Sequence, residues 1–298
     1  MSAKNRMVKK FLRRWVLALP WSDRQFNELT YWHNFGRPLH LNPPVTFNEK
    51  IQWLKLYGST EMCTSLVDKF AVREYVALRI GSQYLNELYG LFDHETDIDF
   101  DSLPQKFVLK ATHGSGWNIL CRDKSQFDVD DARKRLKKWL ESNFYRVSRE
   151  LNYKKIPPRI ICERFLEDEN KNLLDYKFFC FDGRVEVIQI DFDRYMDHTR
   201  NMYDRNWDLC PFIFIYPNNS LKLKRPENLE KMIEIAETLA GEMPFVRVDL
   251  YNLSSKIYFG EMTFTPESGL GKFEPAEWDY KLGTYLPIPE REVLKQPK

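Results

Sequence analysis

Residues 245–269 read FVRVDLYNLSSKIYFGEMTFTPESG. Two runs with β-strand alternation flank the polar turn Ser254-Ser255, and each run carries charge where a half-buried strand would carry another apolar residue. Arg247 and Asp249 share one face of the first run; Glu261, Thr263 and Thr265 share one face of the second. Side chains two apart on a strand point the same way. If the runs pair, one sheet face therefore collects an arginine, two carboxylates and hydroxyls. That set suits a Mg²⁺ ion bridging the phosphates of a nucleotide. It also fits the solvated face of an antiparallel hairpin, so the rest of the chain has to decide.

The chain has 298 residues, enough for a substantial core and two or three structural units. Its 43% hydrophobic and 15% aromatic content marks a folded globular protein. Basic and acidic residues nearly balance at 45 and 43, which argues against nucleic acid as the main partner. Cys63, Cys121, Cys162, Cys180 and Cys210 are scattered without a CxxC pair. That spacing fits neither a zinc site nor a disulfide framework and points to a reducing, cytoplasmic setting. No apolar run reaches the roughly 18 residues of a membrane span. Residues 1–20 set Lys4, Arg6, Lys9, Lys10, Arg13 and Arg14 around Met7, Val8, Phe11, Leu12 and Trp15. Such a basic amphipathic helix can lie on an anionic membrane, on the inner face of the cytoplasmic membrane, or dock on the body of the protein.

Residues 22–62 read as short helices broken by Pro38, Pro43 and Pro44, with a helix start at Thr46 and Glu49. The spacing predicts a helix over 64–80, an acidic loop over 83–104, and a polar helix over 129–151. Strands are expected at FVLKA and RIICERFL, then a hairpin in DYKFFCFDGRVEVIQIDFD turning at Asp182-Gly183. A further helix is expected over 226–241. Strands with interposed helices argue for an α+β protein built on antiparallel sheets.

Other segments carry chemistry. Lys110 precedes the loop His113-Gly114-Ser115-Gly116-Trp117-Asn118. Glycines let backbone N–H groups approach a phosphate, and a lysine on an apolar strand needs an anionic partner. The loop matches neither GxxxxGK[ST] nor GxGxxG, and a plain turn also fits. Glu163, Arg164, Phe165 and Leu166 leave an apolar strand where a base could pair with backbone. Asp175 and Lys177 share a face of the next strand, within reach of ribose and phosphate. Three triplets, Asp97-Ile98-Asp99, Asp99-Phe100-Asp101 and Asp191-Phe192-Asp193, fit a DxD metal motif and keep a nucleotide-sugar glycosyltransferase as an alternative.

In order, VDKFAVREYV, LPQKFVLKATHGSGWNIL, PPRIICERFL, LLDYKFFCFDGRV, FVRVDLY and FGEMTFTPESG resemble the ATP-grasp superfamily, and within it the TupA-like ATP-grasp family linked to teichuronopeptide and other bacterial surface-polysaccharide biosynthesis. The resemblance implies two α+β subdomains with antiparallel sheets gripping ATP, at 63–160 and 161–298, after a helical region at 1–62. It implies that Lys69 and Lys110 hold the α- and β-phosphates, that Gly114, Ser115 and Gly116 form a lid, and that Glu163, Arg164, Phe165 and Leu166 form the adenine hinge. Asp175 and Lys177 would sit near ribose and phosphate. Asp249 and Glu261 would bind Mg²⁺, with Thr263 where many relatives place a third-ligand asparagine, and Arg247 would stabilise the transferred phosphoryl group. The implied reaction joins a carboxylate to an amine through an acyl phosphate. The partners implied are ATP, a uronic-acid glycan or its precursor, and an amino acid or other amine. In the tail, Lys272 and Trp278 are candidates for contacting the sugar.

Overall fold

The computed structural model describes residues 21–58, 61–167, 173–192, 198–221, 223–253 and 255–288. The basic segment 1–20 lies outside the described residues. Two helices open the described chain, α1 (Asp23–Phe35) and α2 (Phe47–Tyr57). Each begins on a capping box. Thr46 and Glu49 exchange side-chain and backbone bonds at the start of α2, as their spacing predicts, and Ser22 and Gln25 do the same for α1.

The helix expected over 64–80 is two helices, α3 (Glu61–Val67) and α4 (Val72–Arg79). The break has a local cause. Asp68 Oδ1 accepts the backbone N–H of Phe70 (2.8 Å) and of Ala71 (3.2 Å), offering those donors an alternative to helical bonds. Lys69 is thereby left in the turn, free of either helix's periodicity.

The first sheet contains β1 (Leu88–Phe92), β2 (Phe107–Ala111), β3 (Asn118–Cys121) and β4 (Ile160–Arg164). The order is β1-β4-β2-β3, all antiparallel. The acidic stretch 83–104 therefore holds a strand as well as loop. Because β4 pairs in this sheet, the first structural half reaches Arg164. Alternation sends Phe107, Leu109, Ala111, Ile160 and Cys162 into a core beneath α5 (Val129–Leu140), which contributes Ala132 and Leu136. Lys110 and Glu163 fall on the other face. The helix expected to run to 151 stops at Leu140, and a short α6 (Tyr145–Ser148) follows.

The second sheet takes β5 (Asp175–Phe181), β6 (Arg184–Phe192) and β7 (Thr199–Asp204), which precede a short β8 (Ile213–Phe214) and α7 (Leu229–Ala240). It is completed by β9 (Phe245–Leu253) and β10 (Lys256–Thr263), in the antiparallel order β10-β9-β5-β6-β7. After it come β11 (Phe273–Glu274), paired with β8, and α8 (Glu277–Tyr285). Asp182 (φ 48°) and Gly183 (φ 76°) make the expected β5–β6 turn. Helix α7 packs Met232, Ile233, Ala236 and Leu239 onto Tyr176, Phe178, Val246, Val248 and Leu250. Each large side chain buried there contributes roughly 1.5–3 kcal/mol.

The opposite face of this sheet is divided. At one end Phe179, Phe181 and Phe245 pack against Phe47 of α2 and Leu282 of α8. At the other end the same strands present Asp175, Lys177, Arg247 and Asp249. The apolar half anchors the helical segment 22–58; the polar half is left to face the first sheet.

Candidate active site

The hairpin of β9 and β10 is built as its alternation implies, with one addition. The ladder shifts between Phe259 and Glu261, so Gly260 is an extra residue in β10. Ile257 and Phe259 before the bulge, and Met262 after it, all reach the α7 core. The slip places Glu261 directly opposite Asp249, and Thr263 opposite Arg247. Directly opposed residues on one face have Cβ atoms about 4.5–5.5 Å apart, which is metal-chelating range for two carboxylates.

These groups form a continuous charged row. Arg247 Nε donates to Asp249 Oδ1 (2.7 Å), and its Nη2 donates to Asp249 Oδ2 (2.8 Å) and Thr263 Oγ1 (3.1 Å). Lys177 Nζ donates to Asp175 Oδ2 (2.6 Å) and Asp249 Oδ2 (2.7 Å). Glu261 is the least enclosed member, with 37% of its side chain exposed and an Arg247 contact of 3.4 Å. Burial raises its proton affinity, but Lys69, Arg247 and Lys177 outweigh that, and the carboxyl is held below its usual range. It is therefore ionised at neutral pH. Among Arg247's influences burial is largest and lowers it, yet Asp249 and Glu261 keep the guanidinium more firmly protonated than usual.

The first sheet supplies the opposing wall. Lys69 Nζ donates to the Gly114 carbonyl (2.7 Å) and stands 3.8 Å from Glu261 Oε2. One side chain thus touches the glycine loop and the β10 carboxylate. Burial pulls its ammonium below the ordinary lysine value, opposed by Glu261 and reinforced by Lys110. Lys110 Nζ donates to Glu163 Oε2 (2.7 Å), and Arg73 Nη1 to Glu163 Oε1 (3.0 Å). The anionic partner that a strand lysine needs is therefore present within the chain.

The glycine loop is fixed at its flanks and open at its tip. His113 Nε2 lies 2.8 Å from the Trp139 carbonyl, and Trp117 stacks on Trp139 at 6.2 Å. A Cβ on Gly114 would meet the Trp117 ring at 2.5 Å, so the ring demands glycine there. Gly116 (φ 71°) needs glycine for its backbone. Ser115 and Gly116 are exposed towards the opening.

A cavity of about 1040 Å³ lies between the two walls. Lys69, Lys110, Ser115 and Gly116 line it from one side; Asp175, Lys177, Arg247, Asp249, Glu261 and Thr263 line it from the other. Gly114 and Glu163 bind the lining lysines without lining the cavity. Arg164 is held by its backbone, its N–H donating to Glu87 O (2.9 Å) and its carbonyl accepting from Asn86 Nδ2 (2.8 Å). Phe165 lies under the Arg122 guanidinium at 5.2 Å, and Leu166 follows, half-buried. Lys272 and Trp278 do not line the cavity: Lys272 is exposed, and Trp278 stacks on Phe212 at 4.3 Å.

Of the DxD triplets, Asp97 caps a turn through His94 N–H (3.1 Å) and Asp99 accepts from Asp101 N–H (3.0 Å). Asp191 is bound by Arg200 Nε (2.6 Å), and Asp193 lies outside the described residues. The cavity also takes in residues the sequence did not single out as its lining: Lys55, Glu150, Gln189, Arg200, Glu267 and Ser268. Gln189 left a trace as a polar position in an apolar strand; Arg200, in the polar run TRNMYD, left none. Nor did Lys55.

The donor set fits Mg²⁺ with a nucleotide. Asp249 and Glu261 are adjacent hard oxygen ligands, and no cluster of three or more His, Cys, Asp or Glu with metal-holding geometry exists among the described residues. Phosphate oxygens and water would have to complete an octahedron, which is how Mg²⁺ is usually held with nucleotides.

A family model described as TupA-like ATPgrasp matches residues 49–287. No curated protein matches the chain. Among solved structures, D-alanine–D-alanine ligase from Bacillus anthracis aligns with TM-score 0.44 and 14% identity over 68% of this chain and 59% of that one. N5-carboxyaminoimidazole ribonucleotide synthetase in its ADP complex aligns with TM-score 0.43 and 15% identity over 72% and 50%. A RimK domain ATP-grasp protein from Sphaerobacter thermophilus gives 0.41 and 11% over 77% and 70%. The chain thus spans 59% and 50% of the first two, and likeness this remote carries no argument about activity. ATP-grasp enzymes use ATP and Mg²⁺, and it is the family match over most of the length that assigns this chain: it belongs to the TupA-like ATP-grasp family.

Proposed function

We propose that this protein is an ATP-dependent carboxylate–amine ligase that attaches an amino acid or other amine to a hexuronic acid of a bacterial capsular or surface polysaccharide, or of its precursor. The observation that carries the reading is Lys69, 2.7 Å from the glycine loop and 3.8 Å from Glu261. It brings phosphate-binding cations and metal-binding acids into one cavity.

A carboxylate is a poor electrophile at neutral pH. In the proposed reaction its oxygen bonds to the γ-phosphorus, the bond to the β,γ-bridging oxygen breaks, and ADP leaves. The amine nitrogen then bonds to the acyl carbon, phosphate departs with the bonding pair, and the nitrogen gives up a proton. Phosphoryl transfer of this kind needs positioning and charge neutralisation more than a side-chain nucleophile. Lys69 and Lys110 would exchange Gly114 O and Glu163 for phosphate oxygens, and Arg247 would face the transferred group. Asp249 and Glu261, with Thr263 beside them, would hold Mg²⁺, which when bound neutralises and orients the phosphates. Ser115 and Gly116 would cover the acyl phosphate and keep water from it. Glu163 to Leu166 would meet the adenine, and Asp175 the ribose.

Incubation with ATP, Mg²⁺, a uronic-acid glycan and an amino-acid pool should yield ADP, phosphate and an amide; AMP and pyrophosphate would contradict the mechanism. No helix among the described residues is long and apolar enough to cross a membrane. We place the protein in the cytoplasm with residues 1–20 contacting the anionic inner membrane face. Deleting 1–20 should abolish vesicle binding and leave ATP binding intact.

A further inference from the structure

The cavity has a second polar wall that the nucleotide chemistry does not use. Three successive residues of the turn after β10 have left-handed backbone: Glu267 (φ 51°), Ser268 (φ 56°) and Gly269 (φ 67°). For the two non-glycine residues that conformation costs on the order of 1 kcal/mol each and persists only where neighbours enforce it. Helix α2 enforces it. Gln52 Nε2 donates to the carbonyls of Ser268 (2.8 Å) and Gly269 (3.1 Å), and Lys55 Nζ to Ser268 Oγ (2.9 Å). From β7, Arg200 Nη1 reaches Glu267 Oε1 at 3.4 Å.

Two cations therefore flank adjoining residues of one turn, each 3% exposed, and both line the cavity. Their pairing is unequal. Arg200 is already balanced by Asp191 at Nε (2.6 Å); its Nη1 also donates to Phe214 O (3.3 Å), and the guanidinium lies over the Tyr216 ring at 4.9 Å. Its Nη2 makes no hydrogen bond among the described residues. Lys55 has a single hydrogen bond, to a neutral hydroxyl, and no carboxylate among the described residues within ion-pair range. A buried ammonium without a direct ion-pair partner is costly. Glu150, the nearby acid, accepts from the Thr265 hydroxyl and acts on Lys55 and Ser268 from outside ion-pair distance of the ammonium.

We infer that Lys55, with Ser268 Oγ and Arg200 Nη2, binds the carboxylate of a substrate over the Glu267–Ser268 turn. Planar carboxylates match two donors from separate side chains, and charge-assisted bonds of this kind are the strong ones. Burial draws the Lys55 ammonium down to about 8, with Glu150 and Asp23 pulling the other way, as expected of a cation awaiting its partner. The inference rests on the ligase reading, in which two substrates can carry a carboxylate: the uronic-acid acceptor and an amino-acid donor.

The test uses the full chain loaded with Mg²⁺ and a non-hydrolysable ATP analogue, titrated by calorimetry with D-glucuronate in one arm and L-alanine in the other. Wild type should bind one of them, which identifies the source. Lys55→Met should weaken that binding by about tenfold or more, with analogue affinity held within about twofold, and Lys55→Arg should restore most of it. Ser268→Ala, which removes only the hydroxyl, should weaken it about threefold and serves as the readout should Lys55→Met not fold. Unchanged carboxylate affinity in these variants, equal loss of nucleotide and carboxylate, or no carboxylate binding by a nucleotide-competent wild type would overturn the inference. A wild type that binds no nucleotide defeats the ligase reading instead.

Discussion

At the scale of single residues, the two acids proposed to hold Mg²⁺ differ in what they do for the fold. Asp249 is 2% exposed and accepts from both Arg247 and Lys177. Asp249→Ala takes a carboxylate from two buried cations, leaving Lys177 only Asp175 and Arg247 only the longer contact to Glu261, and should cost about 3 kcal/mol in urea unfolding. Glu261 is far more open, so Glu261→Gln should move stability by less than about 1 kcal/mol. Its Mg²⁺-dependent ATP turnover should fall on the order of a hundredfold or more. Equal stability losses in the two variants would contradict this division. Lys55 gives a pH signature. Its folded-state value of about 8 lies below the ~10.4 of an unfolded lysine, so between the two the unfolded chain carries the extra proton. Stability should therefore rise with pH across that window, relative to Lys55→Met, while carboxylate binding weakens as the ammonium is lost. A flat difference between the two melting profiles would remove the claim of a strained charge. Arg247, Asp249 and Glu261 were legible because charge interrupts an alternating strand. Lys55 was not: in an amphipathic helix a lysine reads as solvent-facing, and here it is enclosed by a turn 213 residues away.

At the scale of elements, the Gly260 bulge decides which face Glu261 occupies. A Cβ there would stand 3.0 Å from the Asp249 carbonyl and 3.2 Å from the Tyr251 ring. Gly260→Val should destabilise by roughly 1–3 kcal/mol and cut Mg²⁺-dependent nucleotide binding, both readable in one thermal-shift series with and without MgATP. Wild-type response to MgATP in that variant would mean the bulge does not set the acid's position. The slip is visible in the sequence, where apolar positions pass from 257 and 259 to 262. The break at Asp68 was harder to see, because apolar periodicity continues across it while a capping carboxylate ends the helix. Strand β1 escaped notice because all five of its residues are half-buried and its ladder is irregular at Gly90. Strand β7 escaped because it buries Arg200 and Asn201 beside Met202 and Tyr203, so no polar–apolar alternation marks it.

At the scale of the molecule, two separate cores carry the two walls, and the charges of Lys69, Lys110, Lys177, Arg247, Asp249 and Glu261 between them are already matched by partners within the chain. In the proposed reaction, nucleotide binding would exchange these internal partners for phosphate and metal instead of uncovering bare charge. Ligand that binds only the folded state raises stability by mass action, so MgATP should raise the melting temperature well beyond Mg²⁺ or ATP alone. The antiparallel α+β class could be read from order and alternation, and the meeting of front and rear segments was implied by the family resemblance; the enclosure of the cavity by α2 and the 267–269 turn depends on contacts between distant segments and could not be read. The most direct test is a crystal structure with Mg²⁺ and a non-hydrolysable ATP analogue. The account predicts metal on Asp249 and Glu261, phosphates at Lys69 and Lys110, and the γ-phosphate facing Arg247. A nucleotide bound away from these residues, or a metal held elsewhere, would contradict it.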